Sequence, residues 1–101
     1  MKSYKTILGL QKSIDKAKKS GHKIAFIPTM GALHSGHLSL VKVAQNYADT
    51  VIVSIFVNPS QFNNLEDLKK YPKTLSADKQ MLQSIRCDLL FVPEVNEIYP
   101  K

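Results

Sequence analysis

His34 and His37, three residues apart, have the widest chemical range of any pair in this sequence. Histidines at HxxH spacing have three uses. They can ligate a metal, but no third ligand of suitable type accompanies them, and no metal site is expected. They can be structural residues at a helix start. They can also stabilise negative charge as it builds on a phosphorus centre and its leaving group, a task imidazoles share with helix N–H groups. A bare HxGH string does not choose among these. Its surroundings favour the phosphate reading.

The surroundings run from Ile24 to Ala48, IAFIPTMGALHSGHLSLVKVAQNYA. Ile24, Ala25, Phe26 and Ile27 form a short apolar run of the kind expected for a strand covered on both faces. Pro28 lacks a backbone donor and suits the end of that strand better than its middle. Gly31 and Gly36 permit a sharp turn or a close ligand approach. Leu38, Val41, Ala44 and Ala48 then recur at helical spacing. A strand that feeds a helix through such a loop leaves unpaired N–H groups aimed outward from the helix start, which favours phosphates.

A second loop belongs to the same argument. Thr50–Val57 (TVIVSIFV) is β-branched and apolar, a buried strand. It opens into Asn58-Pro59-Ser60-Gln61-Phe62-Asn63-Asn64, rich in turn formers and amides. A third apolar strand, Asp88–Val92, ends at Pro93. Helices are expected near 4–20 (stripe Ile7, Leu10, Ile14, Ala17, stopped by Ser20-Gly21), 37–48 and 75–86 (Leu75, Met81, Leu82, Ile85). Thr74 or Ser76 is the candidate cap of the last. A short helix over 65–71 closes at Pro72, and 94–101 has room for one more turn. Strands and helices alternate, which spells an α/β fold with a parallel sheet and right-handed crossovers. Ligands in such sheets bind beyond the carboxyl ends of the strands. Both loops leave that edge, so His34, His37, Asn58 and Gln61 can converge there.

Composition fits this picture. A chain of 101 residues with 44% apolar and 22% charged residues can bury one core. Its apolar runs are far shorter than a membrane span. The first residues lack a secretory h-region and cleavage site, so a cytoplasmic location is expected. Cys87 is the lone cysteine, and reads as a small buried residue entering a strand. The net charge of +6 is uneven: residues 1–48 hold eight lysines against Asp15 alone. No acidic residue lies between Asp15 and Asp49, which surrounds the histidine loop with a field attractive to polyphosphates or nucleic acid. A solvated lysine-rich helix face accounts equally for Lys12, Lys16 and Lys19.

Taken together, IPTMGALHSGHLSLV, VIVSIFVNPSQF, LKKYPKTLSAD and DLLFVPEVNEIYP resemble the N-terminal part of the pantothenate synthetase (pantoate–β-alanine ligase) family, in its order and spacing over nearly the whole chain. The resemblance implies a Rossmann-like parallel sheet with flanking helices of the HIGH-motif nucleotidyltransferase type, the motif here being His34-Ser35-Gly36-His37. It implies ATP and Mg2+ as cofactors in a two-step ligation on the route to coenzyme A. Pantoate's carboxylate attacks the α-phosphate of ATP, and the amine of β-alanine then attacks the pantoyl adenylate, releasing AMP. By matching position, Met30, Gly31, Ala32, Leu33, His34, Ser35, Gly36 and His37 would line the ATP site. His34 and His37 would be the catalytic pair, with His37 the proton donor. Gln61, Pro28, Thr29, Met30 and Asn58 would bind pantoate, and Gln61 would also meet β-alanine. Amides suit that task because they recognise hydroxyl and carboxylate groups without adding a competing charge.

The chain departs from the family in length. The later strands, a lysine-bearing ATP loop, the KMSKS-like segment and the C-terminal lid domain have no counterpart here. Residues 1–101 are therefore read as the N-terminal portion of the nucleotide-binding domain, an incomplete sheet with little activity alone. A sheet cut after three strands exposes an apolar edge, so self-association, as a homodimer or larger, is expected. Two other functions stay open. One is a cytidylyltransferase-like enzyme sharing the HxGH loop, against which the NPSQF loop argues. The other is a non-catalytic basic module for nucleic acid, for which Phe56, Phe62 and Tyr71 form no obvious stacking platform. Small-molecule substrates, with neither nucleic acid nor membrane as partner, are the expectation.

Overall fold

The computed structural model describes residues 1–62, 64–70 and 74–99, without the side chains of Gln61, Leu65 and Lys70. In chain order the elements are β1 (Lys2–Tyr4), α1 (Ile7–Lys19), β2 (Ile24–Thr29), α2 (Ser35–Tyr47), β3 (Thr50–Ile55), a 3₁₀ turn (Pro59–Gln61), α3 (Leu65–Lys70), α4 (Leu75–Ser84), β4 (Leu89–Phe91) and α5 (Val95–Ile98). The sheet order is β1-β4-β3-β2, and every pairing is parallel. The register sets Ile24 beside Thr50 and Thr29 beside Ile55, so β2 and β3 end level.

The sheet has four strands where three were expected. The extra one, β1, ends at Tyr4, where the helix near 4–20 was expected to begin. Thr6 stops that helix from starting sooner: its backbone is extended, and its hydroxyl accepts from Gly9 N at 3.0 Å. Lys2, Ser3 and Tyr4 then pair with Leu89, Leu90 and Phe91. At the other end of α1, Gly21 takes φ 79°, and Lys16, Lys18 and Lys19 in the last turn complement the helix dipole. Tyr71, Pro72 and Asn63 fall outside the described residues, as do Pro100 and Lys101.

Two cores sandwich the sheet. On one face α2 and α4 bring Val41, Leu82 and the loop residue Leu33 against Ile27, Val51, Val53, Ile55 and Leu90. On the other, α1 brings Leu10 against Ile52, Leu89 and Phe91, with Tyr4, Ile14, Ile24 and Ile98 packed around them. β3 runs between the cores, and all six of its residues are buried. β2 does not share that cover. Phe26 is 51% exposed and belongs to neither core, although Ile24 of the same strand packs on the α1 side. Cys87 is buried, its thiol within 3.4 Å of Leu89 O. Burial pushes its pKa up, which keeps it protonated and inert. Among the described residues, no helix is long and apolar enough to cross a membrane.

Candidate functional site at the carboxyl edge of the sheet

Thr29 closes β2 and begins the histidine loop. Its hydroxyl donates to Ser54 O at 2.8 Å and accepts from Gly31 N at 3.2 Å. The backbone then passes through two left-handed residues in succession, Gly31 (φ 84°) and Ala32 (φ 50°). At Gly31 a Cβ would stand 3.2 Å from Ile55 Cγ2 and 3.3 Å from Asp78 Oδ2, so both backbone angle and space favour glycine. Beyond the turn, Ala32 N donates to Asp78 Oδ2 at 3.1 Å and Leu33 N to Asp78 Oδ1 at 2.9 Å.

His34 is the N-cap of α2, with φ −141°. Its Nδ1 accepts from Gly36 N at 3.0 Å, while His37 Nδ1 accepts from His34 N at 3.1 Å. The two imidazoles thus build a reciprocal capping box, the work usually done by Ser/Thr and Glu. Their rings lie 4.2 Å apart, tilted by 51°. Gly36 makes room for this: a Cβ there would come within 2.8 Å of His34 Cε1. A ring nitrogen that accepts an N–H carries no proton, so in each neutral ring the proton sits on Nε2. The His37 pKa lies below its ordinary value, first through desolvation and then through His34, partly offset by the charge of Asp78.

This geometry narrows one expectation. The helix start was expected to aim unpaired N–H groups outward. The amides of Gly31, Ala32, Leu33, His34 and Gly36 find acceptors within the chain, which leaves the Ser35 N–H at the start of α2. That amide and the two Nε2–H donors are what the loop can offer an anion. The structural and phosphate readings of the histidines are therefore compatible, because Nδ1 serves the helix and Nε2 remains.

The second loop is anchored by Asn58. Asn58 caps the 3₁₀ turn, and its Oδ1 accepts from Ser60 N (3.0 Å), Ser60 Oγ (2.8 Å) and Tyr99 Oη (3.1 Å). With that oxygen occupied, Asn58 has Nδ2 to offer a ligand. Gln61 closes the turn, and its side chain lies outside the described residues.

Two clefts open at this edge. One, of about 490 Å³, is lined by Pro28, Thr29, Met30 and Asn58 together with Phe26, Ser54, Phe56, Phe91, Pro93 and Ile98. Four of the five residues expected around pantoate therefore meet in one cavity. The other, of about 530 Å³, shares Met30, Phe56 and Pro93 with the first and is lined besides by Gly31 and by residues of α3, α4 and Glu94–Val95. Met30 and Gly31 are the members of the expected ATP set that line it. Ala32, Leu33, Ser35 and Gly36 line neither cleft but shape the turn that carries the histidines. His34 and His37 stand outside both linings, at the start of α2. Sequence reasoning missed Asp78 altogether. Its one signal was a carboxylate at helical spacing between Leu75 and Leu82, on a stripe that is otherwise apolar.

A parallel sheet flanked by helices, with an HxGH turn beyond its first long strand, defines a Rossmann-like fold of the HIGH-motif nucleotidyltransferase type. A family model of pantoate–β-alanine ligases matches residues 2–101, and the chain belongs to that family. A pantothenate synthetase of Buchnera aphidicola is 54% identical over 96 residues, which is 95% of this chain and 34% of the relative. The pantoate–β-alanine ligase of Schizosaccharomyces pombe is 48% identical over the full chain and 36% of its own length. Among solved structures, the Francisella tularensis pantoate–β-alanine ligase, complexed with beta-gamma ATP and beta-alanine, superposes with a TM-score of 0.91 at 48% identity. It is matched by 100% of this chain over 38% of its own length. The chain thus spans about a third of the length of the relatives it matches.

Proposed function

We propose that these residues form the N-terminal part of a cytoplasmic, homodimeric enzyme that joins pantoate to β-alanine at the expense of ATP. Pantoate's carboxylate attacks the α-phosphorus and pyrophosphate leaves. The amine of β-alanine then attacks the acyl carbon of pantoyl adenylate and AMP leaves, giving pantothenate. The observation that carries this reading is the meeting of Pro28, Thr29, Met30 and Asn58 in one cleft of a chain of this family.

In this reading pantoate occupies that cleft, with the Asn58 Nδ2 and the Gln61 amide toward its polar groups and Phe26, Phe56 and Phe91 toward its methyl groups. The triphosphate lies across the start of α2, where the Nε2–H groups of His34 and His37 donate to oxygens that gain charge as pyrophosphate departs. His37 is the donor nearest the chemistry. A neutral imidazole held by its Nδ1 donates from a fixed direction, which is worth more in the transition state than a mobile cation. Magnesium enters as MgATP, part of the substrate. Among the described residues no group of three or more His, Cys, Asp or Glu could hold it by itself.

Pyrophosphate–ATP exchange isolates the first step. The intact protein is expected to exchange label only when pantoate is present, and without β-alanine. Exchange that ignores pantoate, or requires a nucleic acid, would contradict the reading.

A further inference from the structure

Asp78 is 2% exposed and belongs to the stripe of α4 that carries Leu82 into the core. Burying a carboxylate there is costly unless donors surround it. Among the described residues its partners are the N–H groups of Ala32 and Leu33, 46 and 45 residues away, and the Thr74 hydroxyl, which lies 3.2 and 3.1 Å from its two oxygens. Thr74 or Ser76 was the candidate cap of α4, and Thr74 takes the N-cap place. It makes no cap bond, and its hydroxyl turns to the carboxylate instead. Both oxygens are thus directed at the turn in which Gly31 and Ala32 take left-handed backbones. The residue following Leu33 is His34, whose place as N-cap sets the direction of both imidazoles.

We infer that Asp78 is the positioning residue of the histidine loop: its carboxylate clamps the Ala32 and Leu33 amides and thereby fixes where the His34 and His37 Nε2–H groups point. The inference concerns the same site as the proposed function and rests on that reading for its link to catalysis. A carboxylate is the side chain this task requires. It presents two acceptors and no donor to two adjacent N–H groups. An asparagine of the same shape would turn its NH2 on one of them.

The test is Asp78→Asn in the intact protein, followed by pantoate-dependent pyrophosphate–ATP exchange and by NMR of the backbone amides and imidazoles. Expected are displaced Ala32 and Leu33 amide resonances, an exchange kcat lower by about 10- to 100-fold from misplaced donors, and a KM for ATP changed by much less. Among the titrating groups facing His37, His34 lowers its pKa and Asp78 raises it. Its NMR titration should therefore move to lower pH in the D78N variant, which a merely misfolded fraction would not produce. If D78N does not fold, Thr74→Val, which keeps the carboxylate and removes its third donor, is read instead. Shifted Ala32 and Leu33 amides with a several-fold lower kcat are then expected. A folded variant with both amides and kcat unchanged overturns the inference. Absence of ATP exchange in the parent protein would discard the nucleotide reading, while the amide and His37 signals would still decide whether Asp78 holds the loop.

Discussion

The loops after β2 and β3 leave the same edge of the sheet, and each ends by capping a short-range turn or helix with its own side chain, yet they are held by opposite means. The first passes through two left-handed residues and is gripped by Asp78 from α4. The second contains no positive φ among its described residues, and Asn58 secures it by binding Ser60, two residues on, with Tyr99 Oη as one added donor from beyond α5. A strained turn persists only where surrounding structure over-determines it, whereas a relaxed one can hold itself. The difference also decides what each loop has left to offer: a pair of Nε2–H donors beside the Ser35 N–H in one, an amide nitrogen in the other.

The largest effect should come from the strained loop's donors. His37→Ala is expected to lower pantoate-dependent pyrophosphate exchange by about 10²–10³-fold, the usual loss when one donor to a developing charge is removed. ATP affinity, read by titration calorimetry, should change far less. His34→Ala should behave similarly, with some added loss of ATP affinity. Wild-type exchange in both variants would return the histidines to a purely capping role.

Next comes the strain itself. Gly31→Ala must hold a Cβ at φ 84° and within 3.3 Å of Ile55 and Asp78. A loss of about 1–3 kcal/mol is expected, visible as a thermal midpoint lower by several degrees. Gly36→Ala makes a sharper contrast, since the gain in helix propensity, up to about 1 kcal/mol, offsets the lost His34 bond. Its stability should scarcely move while its exchange rate falls.

On the self-anchored side, Asn58→Ala and Gln61→Ala should each cost about 1–3 kcal/mol in kcat/KM for pantoate through an unpaired polar partner. Unchanged pantoate kinetics would remove the residue concerned from the site. The smallest effect is on pH dependence. His37 binds a proton less readily folded than unfolded, so stability is fully present above the unfolded pKa of about 6.5 and declines as pH falls from there through the folded value. The decline should vanish in His37→Ala, as followed by denaturant melts between pH 7 and 5.

The elements legible in the sequence were those whose periodicity is local. TVIVSI and DLLFV read as strands because burial on both faces leaves unbroken apolar runs, and α2 because Val41, Ala44 and Ala48 repeat at helical spacing. β1 was not legible. Lys-Ser-Tyr has no strand pattern of its own and is extended only because β4 stands beside it. In the site, the histidines and Asn58 announced themselves by type and motif. Asp78 did not, because its meaning depends on amides 45 residues away, and spacing along one helix cannot show that. The fate of the loop amides was hidden for the same reason.

The backbone N–H of Ile7, at the start of α1, donates to the Glu97 carboxylate at 2.6 Å, a contact spanning 90 residues. β1 likewise pairs with residues near 90. Closing a loop of that length costs entropy before any contact repays it. The β2–α2–β3 unit, whose contacts are short in sequence, is therefore expected to organise early in folding, and β1 late. In hydrogen exchange, the amides of Ile52 and Val53 should outlast those of Ser3 and Tyr4. On the ribosome, β1 would wait unpaired until β4 has emerged.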